Sequence, residues 1–190
     1  MSTPATRRIM IIRHGEKPAD DPPPQGVNAD GDAGIQSLIP QGWQRAGALA
    51  CLFDPARGPL QSPGISTPQT IFASGVGHHS NSLRPQQTVT PLSQKLGLTI
   101  DTSWLKGQET EMTAAAVARG GVVLVCWEHQ AIPGIANQIL GNDTTAPQKW
   151  PGSRFDMVWV FDLDASTGTY AFSQVPQQLL AEDSSDPITG

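Results

Sequence analysis

The strongest constraint on the fold is a short apolar run, residues 9–12, that ends abruptly at Arg13-His14-Gly15. An apolar run of this length, bounded by charged and turn-forming residues, predicts a buried strand. In an open α/β sheet the ligand crevice lies outside the carboxyl ends of the strands, so this strand would bring a guanidinium and an imidazole there. Gly15 permits a tight backbone turn beside them. We therefore expect an anion-binding site that contains a potential nucleophile, His14.

Short apolar runs alternate with segments of helical periodicity along the rest of the chain. Strands are expected at 8–12, 70–73, 98–101 and 122–126, helices at 41–53, 85–96, 109–119 and 133–140, and a hairpin at 157–163 and 169–175. Alternation of this kind places helices on both faces of a parallel sheet. The sequence thus predicts an α/β fold, a three-layer α/β/α sandwich whose mostly parallel sheet carries an antiparallel C-terminal edge hairpin.

The length of the chain, 190 residues, fits one domain large enough to bury a hydrophobic core. We assign this domain to residues 1–176. Residues 177–190 are mostly polar, and we expect them to form a loosely held tail.

Composition argues against several classes of protein. A net charge of -5 disfavours a nucleic-acid binder, because that role usually needs a basic face. No apolar stretch approaches the roughly 20 residues that span a bilayer, and residues 1–8 lack the apolar region of a secretory signal. Cys51 and Cys126 lie in apolar contexts and are expected to be reduced, buried thiols. We therefore expect a cytoplasmic protein with no nucleic-acid or membrane partner.

Two further segments would bring positive or ionisable groups to the same rim of the sheet. Arg84 precedes the expected helix 85–96, whose N-terminus favours an anion, and His129 follows the strand 122–126. Together with Arg13 and His14 they suit a phosphate group. The pair His78-His79 has no second ligand pair at metal-binding spacing, so no metal and no cofactor are expected.

These motifs resemble those of the histidine phosphatase superfamily, in particular its phosphoglycerate-mutase-like branch. The Arg-His-Gly signature stands here as Arg13-His14-Gly15, and His129 matches the family's second histidine. A second motif, Arg-x-x-Gln-Thr, spans Arg84 to Thr88, and a Leu-x-x-x-Gly motif spans Leu38 to Gly42. The matches follow the family's order over residues 8–140.

The resemblance implies a metal-independent phosphatase that hydrolyses a small phosphoester or phosphoanhydride. His14 would form a phosphohistidine intermediate while a backbone carbonyl fixes its tautomer. Arg13, Arg84 and His129 would bind the oxygens of the phosphoryl group, whose charge must be stabilised during transfer. His14 and His129 are thus the expected catalytic histidines, and the expected partner is a small phosphorylated substrate.

The identity of the general acid is the main departure from the family. The acid-phosphatase branch carries an aspartate after the second histidine, whereas Gln130 stands there in this chain. Glu109 is the first candidate to protonate an alkoxide leaving group, and Glu128 and Glu16 are the alternatives. If no carboxyl group serves, substrates with good leaving groups are favoured, such as phosphohistidine, phosphoanhydrides or acyl phosphates.

Three other features of the sequence bear on the substrate. The polar insertion 75–83 would border the pocket, and the acidic stretch around Asp20 and Asp21 favours a small phosphoester over polyphosphate. The short segment 101–113 disfavours a phosphoglycerate-type mutase. A non-catalytic phosphate-binding module of the same fold remains the alternative function, because the acid is unassigned.

Overall fold

The computed structural model describes residues 7–19 and 23–189. The secretory-signal prediction, which concerns the amino-terminal residues, falls mostly on 1–6 and so lies outside the described residues. The same holds for the acidic pair Asp20 and Asp21, whose effect on substrate entry stays a prediction.

Within the described ranges, six strands form one mixed sheet. They are β1 (Arg8–Arg13), β2 (Thr70–Ala73), β3 (Ile100–Asp101), β4 (Val122–Trp127), β5 (Met157–Asp164) and β6 (Thr169–Pro176). The strand order is β3-β2-β4-β1-β5-β6. The first four strands of the chain run parallel, and β5 pairs antiparallel with both β1 and β6. The predicted parallel sheet with an antiparallel C-terminal edge is confirmed.

Four helices of the described chain cover the two faces of the sheet: α1 (Pro40–Phe53), α2 (Arg84–Leu96), α3 (Glu109–Arg119) and α4 (Ile132–Leu140). Successive strand residues point to opposite faces, so Ile9 and Ile11 pack with α3 and α4, while Met10 and Ile12 pack with α1 and α2. The result is the expected three-layer α/β/α sandwich. None of these helices combines the length and the apolar character that a membrane crossing requires.

The predicted elements agree with the structure except at some ends. Strand β3 begins at Ile100, whereas the sequence predicted residues 98–101. The difference arises because Leu98 completes the end of α2. Its N–H donates to the carbonyl of Ser93 (3.0 Å), and Gly97 adopts the left-handed conformation that ends the helix.

The polar C-terminal residues pack against the rest of the molecule, contrary to the expectation of a loosely held tail. Gln177 is 1% exposed and Ile188 is 2% exposed, the latter within the core on the α3 and α4 face. The carboxylate of Asp183 forms an ion pair with the buried Arg45 at 2.6 Å. Polar composition misled the prediction because these side chains have buried polar partners in distant parts of the chain.

Candidate active site

The candidate site lies where β1, β2 and β4 end. Strands β1 and β4 run side by side, with Arg13 opposite Trp127, so their carboxyl ends reach the same rim. The N–H of His14 donates to the carbonyl of Trp127 (3.1 Å), which extends the pairing by one residue. His129 follows β4 after a single intervening residue, and Ser74 directly follows β2. The topology thus brings residues far apart in sequence to one place.

His14 is a buried imidazole with a fixed proton. Its side chain is nearly enclosed, and its Nδ1 lies 2.7 Å from the carbonyl oxygen of Gly15. A carbonyl can only accept, so Nδ1 carries the proton and Nε2 keeps a free lone pair. Thr88 holds the preceding peptide, His14–Gly15, since its Oγ1 accepts from the N–H of Gly15 at 2.8 Å. The arrangement is that of a pre-oriented nucleophile.

Burial and neighbouring cations keep this imidazole neutral. The pKa of His14 is lowered to about 3, mainly by desolvation. The Gly15 hydrogen bond opposes this effect, and the neighbouring Arg13, Arg84 and His129 each add a smaller lowering. These couplings also show that the four side chains predicted from the sequence lie near one another. A neutral imidazole is the form that can attack phosphorus.

Arg13 is fully buried and only partly satisfied. Its Nη1 donates to the carbonyls of Gly152 (2.7 Å) and Arg154 (2.8 Å), and its guanidinium carbon lies 3.7 Å from the ring centroid of Phe155. Its Nε and Nη2 are buried without a hydrogen-bond partner among the described residues. Burial lowers its pKa to about 10. Unpartnered buried donors are costly, so two of them on one cation indicate a site for an anion.

Arg84 is the first residue of α2, and its side chain is held by the preceding loop. Its Nη2 donates to the carbonyl of Ile35 (2.7 Å) and its Nε to that of Ser37 (3.3 Å). Burial lowers its pKa, although a half-buried guanidinium stays charged at neutral pH. Its position at a helix N-terminus adds the partial positive charge of the helix dipole to that of the side chain.

His129 completes the cluster. Its pKa is lowered to about 4, first by desolvation and then by the charges of Arg13, Lys17 and Lys106. The side chain of Lys17 is exposed, although its charge acts on His129. The field around His129 is therefore strongly positive, which favours a bound anion.

A cavity of about 330 Å³ opens beside these groups. Its lining includes His14, Arg84, Lys106, Glu128 and the segment 80–82. Because residues 80–82 belong to the insertion 75–83, the prediction that this insertion borders the pocket is confirmed. Lys106 was not predicted, because it reaches the cavity only through the fold of its loop: the N–H of Gly75 donates to the carbonyl of Trp104 at 2.7 Å.

Of the three carboxylates considered as general acid, the structure brings only Glu128 to the cavity of His14. Glu128 pairs with Lys106 at 2.9 Å. Glu109 lines a neighbouring cavity of about 410 Å³ that also includes Lys106 and Glu128, and its Oε1 accepts from the indole of Trp127 at 3.0 Å. Glu16 is buried and pairs with Arg45 at 2.7 Å. Glu109 thus lies beside the cavity of His14 rather than in its lining, and its role as general acid stays a prediction.

The described part of the chain holds no group of three or more His, Cys, Asp or Glu side chains able to bind a metal ion. His78 and His79 are exposed, and His79 lines the same cavity as Glu109. His79 therefore lies next to the candidate site, within the insertion 75–83 that was expected to border it.

The layered sheet, which carries this arginine and histidine cluster at one rim, is similar in fold to solved structures of proteins named as phosphatases. No protein-family model and no curated protein matches the chain in sequence. Solved structures do match in fold. One is the putative phosphohistidine phosphatase SixA from Agrobacterium tumefaciens, with 19% identity, TM-score 0.52, and coverage of 88% of this chain and 96% of that one.

Two other similar structures widen the comparison. The protein histidine phosphatase SixA complexed with tungstate has 16% identity, TM-score 0.54, and coverage of 90% of this chain and 97% of that one. A mutant phosphoserine phosphatase from Entamoeba histolytica, in complex with phosphoserine, has 15% identity, TM-score 0.51, and coverage of 91% and 98%. At these identities the likeness establishes the fold, and the chemistry must be argued from the site itself.

Proposed function

We propose that this chain is a phosphatase that hydrolyses a small phosphorylated substrate through a phosphohistidine formed on His14. One observation carries the proposal: a neutral imidazole with its proton fixed on Nδ1 lies beside Arg13, which has two unpartnered buried donors. An imidazole lone pair next to a guanidinium with free donors is what attack on a bound phosphoryl group requires.

The reaction would proceed in two transfers. The Nε and Nη2 of Arg13, together with Arg84 and His129, bind the phosphoryl oxygens while Nε2 of His14 attacks phosphorus and the bond to the leaving group breaks. Water then attacks the phosphohistidine, releases inorganic phosphate and restores neutral His14. The proton remains on Nδ1 and is donated to the Gly15 carbonyl throughout. This hydrogen bond stabilises the positive charge that develops on the ring.

The surroundings of His14 favour substrates with good leaving groups. Glu128 is the carboxylate in the cavity, and its Oε1 is already engaged by Lys106 in an ion pair of 2.9 Å rather than free to serve a leaving group. Phosphoramidates and acyl phosphates need less assistance from an acid than alkyl phosphates do. The fold likeness to a protein named as a protein histidine phosphatase supports the same substrate class, phosphohistidine or a related phosphoramidate.

The decisive experiment compares the natural chain with His14→Ala on acetyl phosphate, phosphoramidate and an aryl phosphate. We expect the natural chain to hydrolyse the first two and His14→Ala to lose at least about a thousandfold in kcat, because the nucleophile is gone. The natural chain should also form an alkali-stable phosphoenzyme. His79→Ala, an exposed histidine of the neighbouring cavity, is the matched control and should keep its activity.

Two results would contradict the proposal. If His14→Ala retained activity, His14 would not be the nucleophile. If the natural chain bound inorganic phosphate but hydrolysed none of the three substrates, the alternative function, a non-catalytic phosphate-binding module, would replace it.

A second comparison tests the absence of a carboxylic acid donor. We expect Glu109→Gln and Glu128→Gln to change kcat/KM for good and poor leaving groups, p-nitrophenyl and alkyl phosphates, by similar factors. A loss confined to alkyl phosphates in one variant would instead identify that residue as the general acid, Glu109 being the one favoured by the sequence.

We also propose that the reaction is independent of metal ions and that the protein is cytoplasmic. Arg13 and Arg84 supply the positive charge that a metal would otherwise give, so hydrolysis should persist in excess chelator. The exposed Cys51 and the buried Cys126 are both free thiols, which suits a reducing compartment. Cell fractionation would test the location.

A further inference from the structure

Both members of the Arg13-His14 pair are held by backbone carbonyls. The Gly15 carbonyl fixes His14, and the Gly152 and Arg154 carbonyls fix Arg13. A carbonyl can hold a side chain only as firmly as its own peptide is held. The orientations of His14 and Arg13 therefore depend on the contacts that hold the Gly15–Glu16 peptide and the loop 151–155.

The Gly15–Glu16 peptide is anchored through the side chain of Glu16. The Oε1 of Glu16 accepts from Nε of Arg45 at 2.9 Å and lies 2.7 Å from its Nη2. The same guanidinium donates to both carboxylate oxygens of Asp183, at 2.6 and 3.1 Å, and to Oε1 of Gln177 at 2.9 Å. All of these side chains are buried, which strengthens the ion pairs. Glu16 is thus connected to the C-terminal segment, residues 177–189.

The loop that holds Arg13 is connected to the same segment. Arg154 donates from Nη2 to the backbone carbonyl of Asp186 (2.7 Å) and from Nε to Asp156 (2.7 Å). The second oxygen of Asp156 accepts from the N–H of Ser184 at 2.7 Å. Two independent sets of contacts therefore connect the C-terminal segment to the backbone carbonyls that hold His14 and Arg13.

We propose that residues 177–189 position the phosphate-binding and nucleophilic side chains, with Asp183 acting on His14 through Arg45 and Glu16, and Arg154 acting on Arg13 through its loop. This inference rests on the proposed phosphatase function of the site. Asp183 and Arg154 are positioning residues, since neither lines the cavity of His14.

The two connections predict different kinetic effects. Asp183→Asn keeps the shape of the side chain but removes the charge that holds Arg45, so His14 loses its fixed orientation and kcat falls by about tenfold to a hundredfold. Arg154→Met keeps the aliphatic stem but releases the loop, so the dissociation constant for inorganic phosphate rises by about tenfold while kcat changes less. Asp183→Glu and Arg154→Lys, which keep the charges, should recover part of each loss.

Controls separate positioning from mere stability. Glu182→Gln removes an exposed charge next to Asp183, and Arg57→Met removes an exposed arginine; both should behave as the natural chain does. Each variant is measured under conditions where circular dichroism shows it folded. In addition, the ¹⁵N resonances of the His14 imidazole report its tautomer, and Asp183→Asn should reduce the fraction protonated on Nδ1.

The outcomes distinguish this inference from the proposed function. If folded Asp183→Asn and Arg154→Met lowered only the melting temperature, with kcat, phosphate affinity and the His14 tautomer unchanged, the segment would be structural and the positioning role would be wrong. If the natural chain showed no phosphatase activity, the proposed function would fail. The phosphate-affinity and tautomer measurements would still decide the positioning role.

Discussion

At the scale of single residues, the protonation state of the His14 imidazole determines whether it can act as a nucleophile. Its neutral state results mainly from burial, and the neighbouring charges of Arg13 and Arg84 add to the effect. The same groups that would bind the phosphoryl oxygens therefore keep the nucleophile unprotonated in the free protein. When a dianionic phosphate binds, it offsets those charges and stabilises the imidazolium character that develops during attack.

This coupling predicts how stability depends on pH. An unfolded histidine takes up a proton near pH 6.5, whereas folded His14 does so only near pH 3, so protons favour the unfolded chain in this interval. Stability is retained above pH 6.5 and lost as pH falls below it, by roughly 2 kcal/mol at pH 5 for a fully buried histidine. Urea unfolding at pH 7 and pH 5 measures this loss.

The His14→Asn variant is the control, since it lacks the titrating group and should lose less stability over the same interval. An NMR titration of the natural chain gives a second check, with the His14 imidazole still neutral at pH 5. A midpoint near 6.5 for His14 would contradict the explanation.

The sequence predicted the four polar groups of the candidate site because each lies at or within two residues of a strand end or begins a helix. Arg13, His14, Arg84 and His129 occupy such positions, and parallel strands must end at one rim. Lys106 and Phe155 could not be found in this way. They lie in irregular loops, whose paths depend on distant contacts rather than on local periodicity.

At the scale of elements, helix α1 approaches the backbone of Glu16, just after β1, so closely that one position needs glycine. A Cβ on Gly42 would lie 2.5 Å from the carbonyl oxygen of Glu16, which is a severe clash with backbone. Gly47, on the same helix, is exposed and has open space around its Cα. The two glycines therefore form a natural pair of test positions.

We expect Gly47→Ala to raise the free energy of unfolding by about 0.5–1 kcal/mol, because alanine is the better helix former. Gly42→Ala should lower the free energy of unfolding and also lower kcat, since the displaced Glu16 carries the peptide that holds His14. Urea unfolding and acetyl phosphate hydrolysis measure the two effects. Equal stabilisation by both substitutions would show that the close approach is absent.

The helices and strands themselves were largely predictable from the sequence. Apolar runs such as that of β4 and helical faces such as that of α1 are local patterns that core packing reinforces. The error at β3 arose because Leu98 is apolar yet serves the end of α2. An apolar residue after a helix-ending glycine fits either a strand or a helix cap, and only the tertiary contacts decide.

At the scale of the whole molecule, the two thiols report on different states of the chain. Cys51 is exposed on α1, contrary to the expectation of a buried thiol, whereas Cys126 is buried at the centre of the sheet, where desolvation raises its pKa. A thiol reagent such as DTNB should label one cysteine in the folded protein and the second only at the rate of global unfolding. Cys51→Ser should remove the fast phase, whereas rapid labelling of both thiols would show that the sheet opens locally.

The C-terminal segment is the part of the fold that sequence analysis described least well. Its residues show no periodicity, and their polar character normally indicates a solvated tail. Its order comes from single long-range contacts, such as that between Asp183 and Arg45, and these leave no trace in local sequence.

The packing of this segment also sets when the site can form during synthesis. A ribosome makes Arg13 and His14 well before Asp183 and Asp186. These two later residues bind Arg45 and Arg154, through which the backbone around His14 and Arg13 is held. A nascent chain that has not yet exposed these two aspartates therefore carries the nucleophile without its complete support. Under the proposed function and positioning role, we expect hydrolysis of phosphorylated molecules to begin only once residues 183–186 have left the ribosome.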